Sequence, residues 1–272
     1  MVDPKFDLGE LFVSRFLYYF EMNTKTVTKL DLEAKELLAI DLGVSQELGP
    51  YSAQCKIPNE RVFMCGGNTG ISYSGATLIL NPETDQVQEL VPLELPRQFA
   101  SCVYFENEVY LFGGYNDDQA QGELEDCAKL DLTSNSWIRI ANLPTKCKHT
   151  TSVVFKGLIF VTGYEASGIW VYDPYRDFFD LVMHLCKGFK VLCRSQSKLF
   201  CLTEKCLYEM QENGVFLKVL KRRFPLSSLV THPFCYGSSI YFIDSDENLC
   251  FLNHSSYCFE IQRVRPSTLI TE

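Results

Sequence analysis

The feature that most constrains this chain is an apolar run that stops on two glycines and then recurs. In "RVFMCGGN" (Arg61 to Asn68) and "EVYLFGGY" (Glu108 to Tyr115), an aromatic, Phe63 or Tyr110, stands three residues ahead of Gly66-Gly67 or Gly113-Gly114. Aligning on that aromatic picks out Phe16, Phe63, Tyr110, Phe160, Phe200 and Tyr241, at steps of 47, 47, 50, 40 and 41 residues. A second marker, as in "LNPET" and "LDLTS", is anchored at Asp31, Asn81, Asp131, Asp173, Glu209 and Asn253, at steps of 50, 50, 42, 36 and 44. Two independent markers therefore agree on six units, and self-similarity at this period means units that bury their faces on one another.

Six residues past the second marker an apolar side chain recurs, as Leu37, Val87, Trp137, Phe179, Val215 and Phe259. Each unit then reads as an alternating strand, a long apolar strand, a loop, a third strand, a tight turn and a fourth strand, which is a four-stranded antiparallel sheet.

The pattern resembles the kelch repeat, marked by a glycine pair after the second strand, an aromatic-acidic pair in the third and a tryptophan in the fourth. The resemblance covers roughly residues 10 to 270 and is fullest around Gly113, Gly114, Asp131 and Trp137. Elsewhere the pair is halved to Thr162-Gly163 or replaced by Thr203-Glu204 and Asp244-Ser245. The resemblance implies an all-β fold, a six-bladed kelch-type β-propeller with four-stranded antiparallel blades at about 10–48, 49–95, 96–144, 145–185, 186–224 and 225–265. The whole chain, 1–272, then forms one domain. Glycines suit the crowded centre because they reach positive φ and admit another backbone closely. Trp137 and its counterparts are expected to fill the wedges between blades. The tail "PSTLITE", residues 266–272, reads like the other innermost strands and is expected to close the ring onto the first sheet, with "GELFV" (9–13) as the alternative donor. A sandwich of independent hairpins would give no reason for a fixed period.

Charge and cysteine usage narrow the setting. A net charge of -9 disfavours nucleic acid and anionic membranes as partners and favours a basic or mixed protein surface. The 12 cysteines sit mostly inside strand-like runs, as at Cys65, Cys102, Cys193 and Cys201, where a thiol behaves as a small hydrophobe. With no signal-peptide-like opening, free thiols and a reducing, eukaryotic cytoplasmic location are expected. No apolar run approaches the about 18 residues that a spanning helix needs.

Catalytic signatures are missing. Some proteins of kelch type hold a redox metal of the galactose-oxidase kind, but the histidines here are His149, His184, His232 and His254, and no zinc-type spacing joins them. Nucleophile-elbow and phosphate-cradling motifs are also lacking. The expectation is a non-enzyme with no cofactor and no metal.

What remains is the rim. In a kelch-like sheet the loops joining strands two and three emerge beside the links between blades, and together they form one face. The loops 68–75, 115–127, 164–168 and 244–248 differ in length and are partly acidic, while the links 49–54, 95–100, 145–150, 185–190 and 221–228 are partly basic. Such charge patterning suits a protein or peptide partner. The expected partner-binding residues are Tyr51, Arg97, Tyr115, Asn116, Asp117, Asp118, Lys148, Tyr164, Glu165, Asp244 and Asp246, with tyrosine and arginine as the strongest anchors. The chain then reads as a protein-interaction module, alone or as a subunit of a larger assembly. The family also suggests, as the alternative, the substrate receptor of a ubiquitin ligase, although with about fifteen residues ahead of the first blade no BTB or F-box segment is expected there.

Overall fold

Two apolar faces on one strand explain why the second strands read as unbroken hydrophobic runs. In "VFMC", Phe63 and Cys65 enter one core while Val62 and Met64 enter another, because successive side chains point to opposite faces. The computed structural model describes residues 16–263 apart from 21–25, 32–35, 42, 46, 119–121, 196–197, 222–223, 225–233, 237–238, 244–247, 254–255 and 257.

The strands, all paired antiparallel, fall into successive meanders. The first holds β1 (Phe16–Phe20), β2 (Thr26–Asp31) and β3 (Glu36–Asp41), and the second β4 (Ala53–Lys56), β5 (Val62–Cys65), β6 (Thr77–Asn81) and β7 (Gln86–Glu89). The third holds β8 (Ser101–Phe105), β9 (Glu108–Phe112), β12 (Cys127–Asp131) and β13 (Ser136–Ile140), with a small hairpin of β10 (Tyr115–Asn116) and β11 (Gly122–Glu123) in its loop. The fourth comprises β14 (Lys148–Phe155), β15 (Leu158–Tyr164), β16 (Gly168–Asp173) and β17 (Phe178–His184). The fifth comprises β18 (Lys190–Ser195), β19 (Lys198–Thr203), β20 (Cys206–Met210) and β21 (Phe216–Lys221). The sixth comprises β22 (Phe234–Tyr236), β23 (Ser239–Ile243), β24 (Asn248–Asn253) and β25 (Cys258–Arg263).

Each sheet packs its face on the next. One core joins Phe63 and Ile79 to Cys102, Leu111 and Trp137, the next joins Phe112 and Cys127 to Val161, Tyr172 and Phe179. Two more join Phe160 to Leu192 and Cys201, and Phe200 to Ile240 and Leu252. The innermost strands β4, β8, β14, β18 and β22 touch in that order, which is the radial arrangement of a propeller. Among the described residues five sheets have four strands where the repeat predicts six; the first unit is the three-stranded sheet β1-β2-β3. The closing segment expected at 266–272, and its alternative at 9–13, lie outside the described residues.

The repeat markers acquire local causes. Asn81, Asp131, Asp173 and Asn253 each accept a backbone N–H two or three residues on (Glu83, Thr133, Tyr175 and Ser256, at 2.8 to 3.0 Å), so the marker opens the turn between third and fourth strands. The fifth unit departs from this. There Gln211 donates its N–H to the Val215 carbonyl at 2.8 Å, the turn runs one residue longer, and Phe216 is buried in the inter-sheet core. Val215 is 51% exposed, so the expected place of Val215 in that wedge is corrected to Phe216.

The glycine pairs join neighbouring sheets. Gly66 and Gly113 donate to Ala76 and Asp126 of their own sheets, whereas Gly67 and Gly114 donate at 2.8 and 3.0 Å to Arg97 and Cys147 in the link entering the next sheet. Gly67 (φ 102°) and Gly114 (φ 110°) stand so close to backbone that a Cβ on Gly67 would fall on the Gly49 carbonyl oxygen. Positive φ and close approach are both needed, and glycine alone meets them without cost.

Candidate functional site

Tyr51, Phe99 and His149 occupy equivalent places at the head of β4, β8 and β14, and all three are held at positive φ (64°, 58° and 48°). That backbone is uncommon for bulky side chains and costs of order 1 to 3 kcal/mol each where it is enforced. The cause is the adjoining link: Phe99 donates its N–H to the Tyr51 carbonyl at 3.0 Å, and Thr150 donates to the Phe99 carbonyl at 3.1 Å. Stacking follows in chain order. Tyr51 lies 4.4 Å from Phe99, Phe99 lies 3.8 Å from His149, and His149 lies 5.4 Å from Phe189, centroid to centroid. The rings remain partly exposed.

The loops between second and third strands add a second run of rings. Tyr73 meets Tyr115 edge-on at 6.3 Å and donates its hydroxyl to Asp117 at 2.5 Å. Burial first, and that carboxylate second, push the Tyr73 phenol up to about 12. Lys148 Nζ stands 5.1 Å from the Tyr115 ring centre and 5.6 Å from that of Tyr164, with the Glu123 carboxylate at 3.4 Å. Tyr164 packs at 4.7 Å on Phe189 and at 6.3 Å on His149, which joins the two runs into one band. Beside it, Glu165 pairs with Lys187 at 2.9 Å; the lysine holds the carboxyl below its ordinary value, and the carboxylate raises the ammonium.

Beneath the band lies Lys190, only 2% exposed, whose ammonium donates to the carbonyls of Ala166 (2.8 Å), Gly188 (3.0 Å) and Gly163 (3.4 Å). A buried cation ringed by carbonyls ties the loop 163–168 to the link 188–190 and so fixes where Tyr164 and Phe189 stand. An open groove of about 500 Å³ adjoins the third sheet's loop, between Glu94, Glu125, Asp126, Arg139 and Lys146.

The expected site residues divide. Tyr51, Tyr115, Lys148, Tyr164 and Glu165 belong to the band or its border, and Asp117 and Asp118 are exposed beside it. Arg97 is a correction. It is 3% exposed, and its guanidinium is engaged with the carbonyls of Leu95, Gly113 and Asp126 and with the Asp126 carboxylate, so it crosslinks the second and third sheets. Asn116 is corrected likewise: it is buried, donates to the Pro96 carbonyl at 2.6 Å and accepts from Asp118 N–H at 2.7 Å, shaping the loop from within. Asp244 and Asp246 lie outside the described residues. Phe99, His149, Phe189 and Tyr73 stand in the same band and were not among the expected residues. The signal for the first three was present, as one ring per link in "PYSA", "QFAS", "KHTT" and "GFKV".

Among the described residues no group of three or more His, Cys, Asp or Glu side chains is arranged to hold a metal ion, and no helix is long and apolar enough to cross a membrane.

Comparison with known proteins agrees with this architecture. Residues 96–144, the third unit, match the Kelch motif family. The chain is 25% identical over 127 residues to Kelch-like protein 33 of Homo sapiens, covering 43% of this chain and 23% of that protein. It is 26% identical over 169 residues to Kelch domain-containing protein 10 of Rattus norvegicus, covering 54% of this chain and 40% of that protein. The Xenopus tropicalis protein of the same name is 27% identical over 172 residues, again at 54% and 40%. Each match spans less than half of the relative's own length.

Proposed function

Because the chain is a kelch-repeat protein, we propose that it acts as a protein-interaction module, not as an enzyme, and that its partner protein or peptide docks on the face carrying the loops between second and third strands and the links between sheets. One observation carries this reading. Two separate classes of segment place partly exposed rings side by side there, three of them on backbone that favours glycine. Aromatic side chains on a rigid scaffold supply large contact area at low entropic cost, which is the composition of interface hot spots. The likeness to a Kelch-like protein is compatible with a second use of the same face, as the substrate receptor of a ubiquitin ligase. In the finer reading the sheet that shows three strands among the described residues is a sixth blade, with residues 266–272 supplying its innermost strand. Deleting them should then lower the melting temperature of the whole ring.

The test is a charge reversal on each rim. Asp117→Lys with Asp118→Lys should slow association with a partner recovered from the native cell and change its salt dependence, because exposed charges steer encounter. Glu83→Lys, in the turn on the opposite rim, should leave association as it was. Equal effects from both rims would remove the basis for choosing this face.

A further inference from the structure

We propose that the aromatic band takes an extended peptide segment by an arginine side chain, whose guanidinium lies flat on the rings while Asp117 and Asp118 supply the opposite charge. This rests on the reading that this face is the docking surface, and goes further by naming the chemistry it reads. Three observations point the same way.

The first is the conformation of the inner rings. A glycine would hold the backbone of Tyr51, Phe99 or His149 without strain, because all three stand at positive φ. The chain keeps rings at three positions where the fold alone would favour glycine, and such strain concentrates where side chains are held for contact. The second is that the band already accepts a cation. Lys148 sits against Tyr115 and Tyr164 with Glu123 completing its surroundings, so rings and carboxylate together form a cation environment filled from within. Tyr51, at the end of the inner stack on Phe99, and Phe189 add partly exposed ring surface beside it. The third is charge. Asp117 and Asp118 are exposed and, among the described residues, form no ion pair with lysine or arginine, on a chain of net charge -9.

Arginine fits better than lysine. Its guanidinium is planar, weakly hydrated and able to stack on a ring while its edge donates to a carboxylate, whereas an ammonium must give up a tighter hydration shell to lie on the same surface.

The experiment selects a random-sequence peptide display library on the folded chain and measures the enriched peptides by fluorescence anisotropy. Arginine should dominate the enriched sequences, and replacing it by lysine in a selected peptide should weaken binding about fivefold or more. Tyr51→Gly and Phe99→Gly delete rings on backbone that glycine adopts freely, so thermal melts should stay near that of the parent while binding falls about tenfold. Phe99→Leu keeps apolar bulk without a ring, and should lose binding similarly. Enriched peptides that lack arginine, yet still fail against Phe99→Gly, would overturn the arginine assignment and leave the face as the docking surface. Peptides indifferent to Phe99→Gly and to the Asp117 and Asp118 reversals would overturn both.

Discussion

Trp137 donates its indole N–H to the carbonyl of Val91 at 3.1 Å, across the joint between the second and third sheets. The N–H of Val91 is taken at 3.1 Å by the side-chain oxygen of Asn135, two residues before Trp137, so both backbone groups of Val91 are held by the following sheet. The fourth sheet repeats half of this with Asp177, which accepts the N–H of Ala141 at 2.8 Å. Sheet-to-sheet cohesion is therefore polar at the rim and apolar inside, where the Trp137 ring meets Phe63 edge-on at 6.4 Å.

Trp137→Ala should cost about 3 to 5 kcal/mol, as a large ring is removed from the wedge. Trp137→Phe keeps most of the packing and loses the donor, so it should cost about 1 kcal/mol plus the smaller ring's packing deficit. Urea denaturation of the two variants separates the terms, and equal costs would show that the hydrogen bond, not the ring, holds the joint.

Gly67→Ala and Gly157→Ala should differ, although both glycines have positive φ (102° and 74°). Nothing lies within 4 Å of a Cβ added at Gly157, so alanine there meets only the left-handed strain of roughly 1 to 2 kcal/mol. At Gly67 the Cβ meets the Gly49 backbone as well, and the loss should be larger. Thermal melts that rank the pair the other way would contradict the close approach of these two segments.

Native-state alkylation should reach Cys186 and Cys258, which are exposed, well before Cys127, Cys147 and Cys201. Burial pushes these three buried thiols up to about 12, so at mildly alkaline pH they stay protonated as well as covered. Peptide mapping after brief labelling checks the order; early labelling of Cys127 would mean that the core between third and fourth sheets opens easily.

Stability should rise with pH on the alkaline side through Lys190. Burial lowers the affinity of its ammonium for the proton below the ordinary value, so the unfolded chain binds that proton more strongly than the native one. The penalty is fully present below the folded-state pKa and is relieved as pH climbs from there to the unfolded value of about 10.4. Lys190→Met should flatten this part of the stability profile in chemical denaturation, and an unchanged slope would mean that the lysine is not the source.

Much of the architecture was legible because it depends on local chemistry. Asn81, Asp131 and Asp173 recur because each opens a tight turn with its own side chain, and the aromatic of each second strand recurs because both faces of that strand are covered. The register slipped where local chemistry changed. In the turn after Glu209 the Gln211 N–H goes to the Val215 carbonyl and the turn is one residue longer, so counting six residues onward lands on Val215 instead of Phe216.

The sequence by itself determined the repeat, the strand order within each unit, the glycines that end the second strands and the side of the molecule on which the loops emerge. These follow from period-two alternation and turn chemistry, which act over a few residues. Only the tertiary structure decided what each link residue does. Arg97 and Phe99 are two apart in one link, yet the guanidinium is drawn inward to the carbonyls of Gly113 and Asp126, while the ring is turned onto Tyr51 and His149. The partners that make this choice come from neighbouring sheets, distant in the chain, and a link carries no alternation of its own to say which side chain will find them.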